Sequence, residues 1–148
     1  MVFVSVVVIA ASVSLHALVM RTIYNKLCRP SRRPWIRLSV MVITLLAAHL
    51  VQIVFFALAY QQLGDPAGDL RGAYDGSFGD AVYFSMAVFT TVGFGDITPV
   101  GHLRLLVGLE ALAGLVLITW SASFTFVAMS RLTKIETDSA ASVKRSDD

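Results

Sequence analysis

Three stretches of this chain are long and apolar enough to cross a bilayer as helices, and they constrain its fold more than anything else in it. A hydrocarbon core of ~30 Å needs about 20 such residues in helical form. Residues 1–20 hold no Lys, Arg, Asp or Glu, and neither do residues 38–60. Residues 103–129 hold only Arg104, near the start, and Glu110. With 56% hydrophobic and 15% charged residues, the 148-residue chain reads as one small membrane domain. A secretory signal would place positive charge before its apolar run, whereas here the charge follows, beginning at Arg21. The first stretch is therefore read as a retained span. Cys28 is the single cysteine, so neither an intrachain disulfide nor a cysteine metal site is expected.

The loops set an orientation. Residues 21–37 carry Arg21, Lys26, Arg29, Arg32, Arg33 and Arg37 with no acidic residue among them. Basic loops stay on the cytoplasmic side, so the N-terminus is expected outside. Beyond the second span come Asp65, Asp69, Asp75 and Asp80 against Arg71, an outward-facing composition. The third span then returns inward to Arg131 and Lys134, leaving residues 131–148 as a short cytoplasmic tail, disordered over 139–148. The 21–37 linker is also a candidate surface for anionic lipid, with Trp35 at the interface, each basic residue contributing about 1 kcal/mol.

Between the second and third spans, residues 61–79 are broken by Gly64, Pro66, Gly68, Gly72, Gly76 and Gly79 and are expected to lack regular structure. Ser77 and Asp80 offer a helix start, and residues 80–90 form an apolar run without Gly or Pro. At ~1.5 Å per residue that helix is only about 16 Å long. It cannot cross, so the chain must enter the membrane from outside, turn, and leave again through residues 91–99. Non-helical backbone at that depth is tolerated only when buried in protein or lining a water-filled path. The turning stretch reads Thr90-Thr91-Val92-Gly93-Phe94-Gly95-Asp96. Glycines on either side of Phe94 reach conformations that other residues resist. Alternating them with ordinary residues turns successive carbonyls the same way, giving a row of backbone ligands.

This arrangement resembles the pore domain of potassium channels, with outer helix 38–60, extracellular loop 61–79, pore helix 80–90, filter 91–96 and inner helix 101–130. The filter matches the family's TTVGYGD signature at six of seven positions. The likeness covers roughly residues 38–130, and the extra first helix, 1–20, is similar to that of small three-helix prokaryotic members. The resemblance implies an all-α integral membrane protein of three transmembrane helices plus a re-entrant pore helix and filter loop, in a prokaryotic plasma membrane. It implies that the carbonyls of Thr91, Val92, Gly93 and Phe94, with the Thr91 hydroxyl, replace the water around K+, in a filter where Gly93 and Gly95 permit the strained dihedrals. One chain supplies one strand of such a filter, so a homotetramer is expected. No cofactor is expected beyond K+ as the transported ion, and no nucleic-acid partner.

Phe94 departs from the family's tyrosine, whose hydroxyl can tie the filter to aromatic residues on the pore helix, here Tyr83 and Phe84 by position. Ala87 stands where some members place a glutamate that partners the filter aspartate, which makes the Tyr83 hydroxyl the first candidate partner for Asp96. Thr90 closes the pore helix. Gly114 occupies the place of an inner-helix hinge glycine, and close packing explains a glycine there equally well. Leu115, Ile118 and Ala122 are candidates to line a cavity below the filter.

Glu110 needs a partner, because an ionised carboxylate in lipid is costly. Counted from the outer ends of their spans, His49 and Gln52 lie at similar depth, and an interhelical hydrogen bond to one of them is the favoured reading. A proton-sensing group or a pore-facing charge are the alternatives. His16 reads as an interfacial or interhelical donor, and His102 as a solvated loop residue. No span has basic residues at every third position, so no voltage sensor is expected. No phosphate loop, Cys–His pair or metal-ligand cluster suggests an enzyme. Selective passive K+ conduction is the reading; a weakly selective cation channel and a non-conducting assembly subunit are its rivals.

Overall fold

The computed structural model describes residues 2–27, 34–63 and 70–146, with side chains described within 3–26, 35–63 and 70–131. In chain order the elements are α1 (Val2–Leu27), α2 (Pro34–Leu63), β1 (Leu70–Gly72), α3 (Phe78–Phe89), β2 (Ile97–Pro99) and α4 (Leu103–Ser146). Within α1, α2 and α4 lie stretches of 24, 29 and 29 residues, each long and apolar enough to cross a membrane. The chain is a multi-pass membrane protein. The 12 residues of α3 are apolar too, but they reach only about 18 Å.

Four expectations about boundaries are corrected. The first helix does not stop at residue 20, and the second starts at Pro34, so much of the basic 21–37 linker is helical. Arg and Lys are good helix formers, so they mark a polarity change without ending a helix. Proline suits the first helical position, where its missing N–H is not needed. Of that linker, Cys28, Arg29, Arg32 and Arg33 lie outside the described residues, as do Gly64, Asp65, Pro66, Gly68 and Asp69 of the next loop and the side chain of Lys134. The third helix continues to Ser146, against the expectation of a disordered tail. No Gly or Pro follows Gly114, so nothing in the polar end breaks the helix. The outer loop, expected to be irregular, contributes β1, which pairs antiparallel with β2 in the register Leu70↔Pro99, Arg71↔Thr98 and Gly72↔Ile97.

The short α3 packs against α2 and α4, while α1 packs on α2 and α4. Phe56 and Tyr60 of α2, Phe84 and Phe89 of α3, and Leu103, Leu106 and Leu117 of α4 fill the main core. Tyr60 and Phe84 meet edge to face, their centroids 5.2 Å apart. A second cluster, at the far end from α3, joins Met20, Ile23, Met41, Leu45 and Ala128. Gly114 brings α4 against the last turn of α3: a methyl group there would collide with the Phe89 carbonyl. Leu46, Leu50, Leu112, Val116 and Phe126 are exposed on the outer faces of the chain. Apolar exposure of that extent suits contact with lipid or with further copies.

Candidate functional site

The segment from Asp75 to Pro99 holds the predicted filter residues and their supports, and it is organised from the ends of α3. At the N-terminus, the Ser77 hydroxyl accepts from the Asp80 N–H at 3.1 Å. The Ser77 N–H in turn donates to Asp75 at 2.7 Å, which holds that carboxyl below its ordinary range. Each bond satisfies an N–H that the helix leaves unpaired. At the other end, Thr90 caps α3 and its hydroxyl donates to the Met86 carbonyl at 2.7 Å. The next N–H groups fold back onto the helix: Thr91 donates to the Val88 carbonyl at 2.9 Å, and Gly93 to the Ala87 carbonyl at 3.1 Å.

With those N–H groups turned toward α3, the backbone of the filter segment alternates. Positive φ angles occur at Thr91 (61°), Gly93 (55°) and Gly95 (81°), every second residue. Thr91 is the only non-glycine with positive φ among the described residues. A β-branched residue held there costs on the order of 1–3 kcal/mol. Among the described residues, no donor reaches the carbonyls of Thr91, Val92, Gly93 or Phe94. Residues 90–96 are all exposed in the single chain, Val92 by 57% and Phe94 by 67%.

The exit of this segment is pinned. Asp96 accepts from the Tyr83 hydroxyl at 2.7 Å through one carboxylate oxygen and from the Ile97 N–H at 3.0 Å through the other. The bond raises the Tyr83 hydroxyl above its ordinary pKa by favouring the neutral phenol. The Asp96 carbonyl accepts from the Ala73 N–H at 3.0 Å. Gly72, with φ 104°, lets the outer loop lie directly on that carbonyl, which a Cβ would strike. Phe94 stacks on Tyr83 with centroids 6.2 Å apart and planes 5° from parallel.

Two site expectations are corrected. Phe84 does not support the filter. It is the next residue after Tyr83, about 100° further round the helix, and it is buried against Tyr60 instead. Glu110 does not bond His49 or Gln52. Its carboxylate accepts from the Tyr60 hydroxyl and, at 2.5 Å, from the Ser85 hydroxyl, which also lies 2.9 Å from the Ile53 carbonyl. Depth along the two long helices leaves out α3, whose Ser85 reaches Glu110 of α4 and the Ile53 carbonyl of α2. His49 and Gln52 bond each other at 3.0 Å and join residues of α1 and α4 deeper in the bundle. His16, read as an interfacial or interhelical donor, does bond across helices, while Tyr60, Ser85 and Ser121 were not singled out. A hydroxyl was their one mark, and other apolar stretches of the chain carry hydroxyls too.

Ile118 and Ala122 line an apolar groove of about 830 Å³ together with Met86, Phe89 and Thr90. Leu115 is exposed on the same helix but does not line that groove. Gly114 is buried against Phe89, so the contact it makes is the packing one, and α4 runs unbroken through it.

Residues 40–131, more than half of the chain, match the family model described as ion channel. The chain belongs to this ion channel family. It is also 37% identical over 95 residues to the inward rectifier potassium channel Kirbac3.1 of Paramagnetospirillum magnetotacticum. That match covers 64% of this chain and 31% of the relative, so the chain spans about a third of the relative's length. The family read from the filter motif, that of potassium-channel pore domains, agrees with both matches.

Proposed function

We propose that the chain conducts potassium ions passively and selectively across a membrane as a homotetramer. The observation that carries this reading is the alternation of positive φ at Thr91, Gly93 and Gly95, beside carbonyls that no donor among the described residues engages. The carbonyls of Thr91, Val92, Gly93 and Phe94, with the Thr91 hydroxyl, are the proposed K+ ligands. Carbonyl oxygens are weaker ligands than carboxylates, so they offset the loss of hydration without trapping the ion. The C-terminal end of α3, directly before Thr91, adds a partial negative charge toward the path.

One chain contributes one such strand, and its exposure suits a ring closed by further copies. The Ile118 and Ala122 groove beside the end of α3 is then the wall of a cavity or a seat for a neighbour. In this reading the N-terminus lies outside, the α4 end lies in the cytoplasm, the membrane is the plasma membrane, and the protein is a channel with no enzymatic activity. Flux into liposomes tests it. Potassium should enter freely while sodium enters far more slowly, as in a filter whose carbonyls replace the hydration shell of K+. Comparable sodium flux would favour the weakly selective rival, for which the missing Phe94 hydroxyl is the motive. No flux of either ion would favour an assembly subunit.

A further inference from the structure

Below the filter, α1 is fastened to the other helices by a closed circuit of four side chains. His16 of α1 meets Gln52 of α2 at 3.2 Å, Gln52 meets His49 at 3.0 Å, and His49 meets Ser121 of α4 at 3.1 Å. Ser121 returns to His16 at 3.2 Å. His16, Gln52 and Ser121 are buried and His49 is partly so. The two imidazoles stack with centroids 5.2 Å apart, and the Trp120 ring lies 5.5 Å from His16.

With both rings neutral, the direction of every bond follows from one backbone oxygen. Gln52 Nε2 donates to the Ser12 carbonyl at 3.2 Å, which can only accept, and this fixes the amide. The same Nε2 donates to His16 Nδ1, so His16 is neutral with its proton on Nε2, where it donates to Ser121 Oγ. Gln52 Oε1 accepts from His49 Nδ1, so neutral His49 has a bare Nε2, which accepts the Ser121 hydroxyl proton. The circuit closes with two neutral histidines in opposite tautomers, and every bond has one proton.

An added proton breaks the circuit at His16, where it would set an N–H against the Gln52 amide nitrogen. On His49 it would leave Ser121 Oγ accepting from both rings, with the hydroxyl proton turned out of the circuit. Turning the amide over would press its oxygen against the Ser12 carbonyl. The other groups facing the pair are Phe89 from α3, 5.7 Å from His49, and Trp120 from α4, neither of which takes up a proton. Along α4, Glu110 lies about three turns toward the filter, bonded to Tyr60 and Ser85. Arg131 lies about three turns the other way, bonded to Tyr24 at 3.3 Å. Among the described residues, no carboxylate is bonded to either imidazole.

We propose that the His16–Gln52–His49–Ser121 circuit is a proton-sensitive latch that ties the first helix to α4 and releases it in acid. Its effect on conduction rests on the channel reading above; the latch itself does not. Ser121 joins α4 to α1 and α2 and, with His49, also borders the groove of Ile118 and Ala122, so release frees α4 at that groove.

Nitrogen NMR of the full chain in lipid bilayers tests the latch directly, with His102 identified by His102→Gln. At about pH 8 one buried imidazole should carry its proton on Nε2 and the other on Nδ1. Both signatures should vanish together on acidification. Like tautomers in both rings, or two independent steps, would overturn the latch. Potassium flux supplies the second measurement. It should fall roughly tenfold over the same range, the factor carried by about one net hydrogen bond, and Ser121→Ala should flatten the dependence. A flat wild-type profile with the tautomers as stated would overturn the coupling to α4. Absence of flux at every pH would count against the channel reading and leave the NMR result standing.

Discussion

Removing the Glu110 carboxylate strands one of its two partners and not the other. Ser85 keeps an acceptor in the Ile53 carbonyl, 2.9 Å away, whereas Tyr60 is buried with its hydroxyl on Glu110. Glu110→Leu should therefore destabilise the chain by about 1–3 kcal/mol, the cost of one orphaned buried donor. Adding Tyr60→Phe should recover most of it. Thermal unfolding of the single and double variants in detergent reads both numbers, and a double variant no better than the single would mean that Ser85 is the stranded group. The sequence announced that Glu110 needed a partner, because charge and lipid are incompatible. It could not announce which, because a tyrosine at the end of a span and a serine within an apolar helix look like ordinary membrane residues until the helices are packed. The filter residues differ in this respect. Gly93 and Gly95 carry their backbone requirement in their identity, while the positive φ of Thr91 has no compositional sign at all.

Two glycines of α4 make the same point about elements. In a free helix, glycine is worse than alanine by about 1 kcal/mol. Gly108 has nothing within 4 Å of where a Cβ would stand, so Gly108→Ala should raise stability by about 0.5–1 kcal/mol. Gly114 faces the Phe89 carbonyl, and Gly114→Ala should lower it by about 1–3 kcal/mol through overpacking. Denaturation midpoints of the two variants should move in opposite directions; a gain at both sites would mean that α3 and α4 are not in close contact at Gly114. The existence of the helices was readable because each apolar run matches the thickness of a bilayer. Their ends were not, since arginines at residues 21–37 and the polar stretch after Arg131 change solvent preference while remaining compatible with helix. The pairing of β1 with β2 was hidden for another reason. It depends on Gly72 admitting a carbonyl from a segment far away in sequence, and no local pattern encodes that.

At the scale of the whole molecule, the exposed filter segment gives the assembly prediction. Light scattering or native mass measurement in mild detergent should find about four times 16.0 kDa plus bound detergent. A monomer that still conducts selectively would exclude the ring. The circuit through His16 bears on a different question, that of which part of the chain can stand alone. Family membership covers residues 40–131, which invites the view that the first helix is an addition to a self-sufficient pore. Yet two of the circuit's four side chains lie on α2 and one on α4. Cutting the chain before Leu38 would turn His49, Gln52 and Ser121 from internal glue into polar groups facing hydrocarbon, at several kcal/mol for those left unpaired. Such a truncation should be inserted and then cleared by quality-control proteolysis, with abundance restored by His49→Leu, Gln52→Leu and Ser121→Ala together. The segment that matches the family depends on the helix before it: because buried polar groups are shared across that seam, the first helix cannot be removed without rewriting the helices it joins.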